Sequence, residues 1–92
     1  MQFLVSDPVE VNAWRWAQRV ADALRSADAR LILGGPGPAP IARLKGKYRQ
    51  QILVRAAGRR RLVETVDRAI EGLGREVPRR AVLVDVDPVD LL

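Results

Sequence analysis

Cysteine and histidine are both absent from the chain. Their absence removes disulfides, thiolate chemistry, the usual zinc ligand sets and the commonest general base at once. Long hydrophobic runs are missing as well. No apolar stretch approaches the roughly 20 residues that a membrane-spanning helix needs, and the N-terminus lacks the basic start and apolar core of a secretory signal. A soluble domain with no visible export signal is expected, and a cytoplasmic setting suits it. No serine sits in a nucleophile context. Gly34 to Gly37 superficially suggests a phosphate loop, but the Gly-Lys-Ser/Thr ending is missing and prolines replace the N–H donors such a loop needs. No catalytic residues are therefore expected. Asp85, Asp87 and Asp90 are too sparse for a dedicated calcium or magnesium site, so no metal is expected either.

The most informative absence is of one sign of charge. Between Arg30 and Val63 there is no Asp or Glu, while nine cations fall there: Arg30, Arg43, Lys45, Lys47, Arg49, Arg55, Arg59, Arg60 and Arg61. The rest of the chain carries seven cations and all eleven acids, so the overall charge of +5 comes from +9 in the middle and −4 elsewhere. A polyanion would meet a focused positive field, and DNA or RNA is the commonest such partner. The bland alternative is a solvated charged face.

Ninety-two residues, 48% apolar and 29% charged, suit one folded domain over 1–92 with a single modest core. Phe3 to Val5 reads as a strand. Asp7 and Pro8 then open a helix, with Asp7 as its cap. From Val9 to about Ala27, residues Ala13, Ala17, Val20, Ala21 and Leu24 recur at helical spacing. Trp14 and Trp16 lie about 200° apart on that wheel, so one of them faces outward, where a neighbouring domain could cover it. Leu31 to Leu33 is a second strand. Residues 34–46, rich in Pro and Gly and basic at their end, read as a non-regular loop with polyproline-like stretches. Tyr48 to Val54 favours a strand with Ile52 and Val54 on one face and Arg49 and Arg55 on the other. After Gly58 a second helix carries Leu62, Val66, Ile70 and Leu73, and Gly74 and Pro78 end it. Ala81 to Asp87 alternates as a last strand with Val82, Val84 and Val86 inward. The sum is α+β, a ferredoxin-like βαβ-βαβ sandwich: a four-stranded sheet with two helices on one face. The last strand falls at an edge, where Asp85 and Asp87 discourage pairing with another sheet.

Three blocks in this order, residues 35–49 (Gly-Pro-Gly-Pro-Ala-Pro-Ile-Ala-Arg-Leu-Lys-Gly-Lys-Tyr-Arg), then Gln51 to Val54, then Asp85 to Pro88, resemble the C-terminal domain of the primosomal protein N-prime (PriA) family of replication-restart helicases. The resemblance covers essentially the whole chain. It implies a fold like ribosomal protein S-ten, and a role as the tail of a larger ATP-driven enzyme whose motor, ATP site and zinc lie outside these residues. It also implies DNA binding and a part in receiving the acidic tail of single-stranded-DNA-binding protein. In the family's strand pattern Tyr48 keeps the first aromatic, while Gln50 stands where a second is usual. The basic position opening the second helix is matched by Arg59, but Val63 replaces the polar residue four positions on.

Arg43, Lys45, Lys47 and Arg49 alternate, so in an extended chain they would project to one side about 6.5–7 Å apart, close to the phosphate spacing of a single strand. Together with Tyr48 and Arg55 they form the expected nucleic-acid-binding set. Tyr48 could stack a base, though strand tyrosines more often pack within a sheet. Arg59, Arg60 and Arg61 start the second helix, where the dipole disfavours cations but free N–H groups and guanidinium forks together suit an anion, which the resemblance makes a partner tail; the bland reading is arginines kept for solubility. Three functions follow: a DNA-binding accessory domain contacting forked or single-stranded DNA, a module that captures the acidic tail of single-stranded-DNA-binding protein, or a buttress against the other domains of the parent helicase.

Overall fold

The computed structural model describes residues 1–56 and 58–85; Val86, Asp87, Pro88 and Asp90 lie outside the described residues, as does the side chain of Arg59. Strand β1 (Gln2–Asp7), helix α1 (Glu10–Ala27), strands β2 (Ile32–Leu44) and β3 (Lys47–Arg55), helix α2 (Arg59–Glu71), a 3-10 turn (Arg79–Ala81) and strand β4 (Val82–Asp85) follow in order. The four strands form one sheet in the order β2-β3-β1-β4, and the pairs β1–β3, β1–β4 and β2–β3 are all antiparallel. This is the split βαβ arrangement expected of the ferredoxin-like class. β4 lies at an edge, as expected.

Alternation decides which face of the sheet is covered. In β1, Phe3, Val5 and Asp7 are buried while Gln2, Leu4 and Ser6 are not, and the register sets Phe3 opposite Ile52 and Val5 opposite Gln50. Phe3, Val5, Ile52 and Val54 therefore share one face. They pack with Ala17, Val20, Ala21 and Leu24 of α1 and with Val66 and Ala69 of α2, so both helices cover that same face. The five residues expected to line the inner side of α1 are its buried residues. Four of those positions are Ala or Val, and their small side chains let the helix lie close to the sheet. Leu73 and Val77, just beyond α2, close the end of the core. Burying Phe3, Leu24 and Ile52 completely contributes about 1.5–3 kcal/mol each.

Three local expectations change. Asp7 is not the cap of α1: that position falls at Val9, which has no side-chain cap. Asp7 Oδ2 instead accepts from Val9 N at 2.9 Å and from Asn12 Nδ2 at 3.2 Å, holding the strand-to-helix corner from two residues upstream. Ala81 belongs to the 3-10 turn, and β4 begins at Val82.

The third change is the largest. Residues 34–44, expected as part of a non-regular loop, continue β2 to Leu44. Proline lacks an N–H, yet an edge strand needs ladder bonds on one side only, so Pro36, Pro38 and Pro40 are tolerated there. Irregularity survives as two register shifts, between Gly34 and Gly37 and between Pro38 and Arg43. At the first shift the backbones approach so closely that a Cβ on Gly35 would lie 2.6 Å from the Gln51 carbonyl oxygen.

Candidate functional site

The hairpin joining β2 to β3 turns through Lys45 and Gly46, with φ of 52° and 78°. Two consecutive positive φ values are the signature of a type I′ turn, whose twist matches that of the flanking strands. Arg43 then pairs with Tyr48 and Leu44 with Lys47. Every residue from Pro40 to Lys47 is exposed, Ile41 and Leu44 among them.

That turn divides the expected stripe of cations. Tyr48 shares the helix-side face of β3 with Gln50, Ile52 and Val54, and its partner Arg43 lies on the same face. Lys47 and Arg49 lie on the opposite, uncovered face, and Lys45 sits at the tip. A two-residue turn sets odd-numbered residues opposite even-numbered ones, so alternation along the sequence does not survive the reversal of direction. The four cations do not form one row; they surround the end of the hairpin on both faces. Arg55 is on the face of Lys47 and Arg49, but eight residues along β3, about 26 Å from Lys47.

Two of these side chains are held in place. The Arg43 guanidinium carbon lies 5.2 Å from the Tyr48 ring centroid, a cation–π contact. Arg49 donates from Nη1 to the Ile41 carbonyl at 3.1 Å. Each arrangement leaves further guanidinium N–H groups for another acceptor. Tyr48 is only partly exposed and has one face toward Arg43.

Ion pairing sorts the central cations into two sets. Arg61 Nε lies 2.8 Å from Asp28 Oδ2, Arg30 Nε 3.6 Å from Asp28 Oδ1, and Arg60 Nε 3.6 Å from Glu64 Oε1. Among the described residues, Arg43, Lys45, Lys47, Arg49 and Arg55 have no carboxylate within ion-pairing distance. The acid-free stretch is thus partly neutralised at the start of α2 by Asp28 and Glu64, the acids that flank it in sequence. The hairpin end keeps its charge. Arg61, expected at an anion site, is committed to Asp28, whereas Arg60 is nearly fully exposed. α2 opens after Gly58 with no side-chain cap and no acid in its first turn.

On the uncovered face, Gln51 donates to Gln2 Oε1 at 2.9 Å and Gln2 donates to Asp85 Oδ2 at 3.3 Å. These bonds cross β3, β1 and β4 beside the exposed Leu53 and Leu83. No group of three or more potential metal ligands exists among the described residues. No helix among them is long and apolar enough to cross a membrane.

Comparison with known proteins fits this architecture. The family described as primosomal protein N C-terminal domain matches residues 3–89. The chain belongs to that family. It is also similar to the replication restart protein PriA of Bacillus subtilis, 28% identical over 74 residues that cover 77% of this chain and 9% of the relative. The chain therefore spans a small fraction of the length of that relative.

Two site features were not anticipated. Gln50 is buried at 8% exposure beside the half-exposed Trp14, although its alternation with Ile52 and Val54 already placed it on the covered face. Asp28 acts as the neutralising partner of two arginines, which no local motif signals.

Proposed function

We propose that this chain is a nucleic-acid-binding accessory domain of a replication-restart helicase, contacting the phosphates of forked or single-stranded DNA through Arg43, Lys45, Lys47 and Arg49 at the β2–β3 hairpin, with Arg55 extending the contact along β3. The observation that carries this reading is the absence of any carboxylate partner for these five cations among the described residues, while Arg30, Arg60 and Arg61 have one. Desolvating a paired cation forfeits an existing interaction, whereas an unpaired surface cation exchanges only water and counterions for phosphate. The family supports the replication-restart setting. In that setting the motor, its ATP and any zinc belong to other parts of a longer cytoplasmic protein, and this domain works beside them without chemistry of its own.

A second reading rests on the uncapped start of α2. Its free N–H groups and the exposed Arg60 offer a place for a carboxylate, such as the acidic tail of single-stranded-DNA-binding protein. Charge reversal at Arg60 separates the readings, since it abolishes tail capture and only weakens DNA binding.

Fluorescence anisotropy with labelled forked and single-stranded DNA tests the main proposal. Counterion release by about five contacts gives a slope of log K against log salt near −3.5 on a single strand. No binding at low salt, or binding indifferent to salt, contradicts the proposal.

A further inference from the structure

Glu10, Val11 and Trp14 from the first turns of α1 and Gln50 of β3 line an open cavity of about 330 Å³, at the small end of ligand pockets. Three observations at this cavity point the same way. Trp14 is 52% exposed and Val11 51% exposed, so an indole and an aliphatic surface stand uncovered. Gln50 is 8% exposed and its Oε1, buried from solvent, has no hydrogen-bond partner. One pleat along the same face of β3 comes Tyr48, with the Arg43 guanidinium over its ring.

A buried amide oxygen without a partner costs stability unless a donor satisfies it. Resting on the reading above, we infer that this cavity is a nucleobase pocket for single-stranded DNA, with Trp14 stacking one base, the Gln50 amide bonding its polar edge, and Arg43 holding the adjoining phosphate. A nucleobase supplies what the site lacks: a flat π-face for a half-exposed indole and paired donors and acceptors for an amide. A half-turn of the amide exchanges its acceptor and donor ends, so it can follow the edge presented. Glu10 repels a phosphate but accepts hydrogen bonds from an exocyclic amino group, and this favours amino-bearing bases over thymine. The backbone-binding hairpin and the pocket are continuous through Arg43 and Tyr48. The pocket adds base contact to a surface that otherwise reads only charge.

The test compares a deoxyadenosine oligonucleotide with an abasic strand of equal length and charge, each titrated against the 92-residue chain. The base-bearing strand binds about tenfold more tightly. It also quenches Trp14 emission in a Trp16→Phe background. Trp14→Ala and Gln50→Leu each reduce that preference to near unity while leaving affinity for the abasic strand unchanged. Trp14 is half exposed, so its variant remains decisive even if the Gln50 variant does not fold. Equal affinity of the unaltered chain for both strands overturns the pocket and leaves the backbone contact standing. A preference that survives Trp14→Ala places the base elsewhere and also overturns it. Binding to neither strand removes the pocket and the nucleic-acid reading together.

Discussion

Arg61 donates from Nε to Asp28 Oδ2 at 2.8 Å, tying the first turn of α2 to the residue that closes α1. Asp28 also accepts the backbone N–H of Arg30 at 2.9 Å, and its side chain is 9% exposed. One carboxylate thus holds both helices and the entry to β2.

Replacing Asp28 with Ala leaves a backbone donor and a guanidinium without their acceptor. The expected cost is about 1–3 kcal/mol. Urea denaturation should show the midpoint falling with an unchanged slope. Arg61→Gln, which removes the more exposed partner, should cost less than Asp28→Ala, and an equal or greater loss would contradict the shared role of Asp28.

Gly35 and Gly46 both have positive φ, 90° and 78°, but they differ in surroundings. A Cβ at Gly46 meets nothing within 4 Å, whereas at Gly35 it meets the Gln51 carbonyl oxygen at 2.6 Å. Gly46→Ala should cost about 1 kcal/mol from backbone conformation alone. Gly35→Ala should cost more, because backbone must move. Thermal melts of the two variants in parallel give the ordering, and equal losses would contradict the close approach of β2 to β3 at the register shift.

Thr65 is fully buried on α2 and its Oγ1 has no hydrogen-bond partner. Thr65→Val removes an unsatisfied hydroxyl at nearly constant shape, so it should stabilise the fold by about 1 kcal/mol. A calorimetric midpoint that falls instead would mean that the hydroxyl is bonded in solution.

The covered face was readable from the sequence because periodicity carries it. Ala13, Ala17, Val20, Ala21 and Leu24 recur with a helical period, and Ile52 and Val54 with the period of a strand, and both patterns report burial directly. β2 was not readable past Leu33, its second residue. Its prolines signal a loop, and only the sheet order reveals that the strand lies at an edge where a missing N–H is harmless. The division of Arg43 from Lys47 and Arg49 depends on the turn at Lys45 and Gly46, and alternation along a chain does not register a reversal. Arg61 is equally instructive. In sequence it belongs to a run of three arginines, and its partner Asp28 lies more than thirty residues away, so neutralisation by a distant carboxylate became visible only with the fold.

The central claim is that the hairpin cations, and not the paired arginines near α2, meet the phosphates of DNA. Two variants of equal charge change test it most directly: Arg43, Lys45 and Lys47 all replaced by Gln, against Arg30, Arg60 and Arg61 all replaced by Gln, each titrated with single-stranded DNA over a range of salt. The hairpin variant should bind at least tenfold more weakly at low salt, with its salt slope shallower by about 2, while the second variant keeps most of the affinity and slope of the unaltered chain. Equal losses in both variants, or a larger loss in the second, would contradict the account.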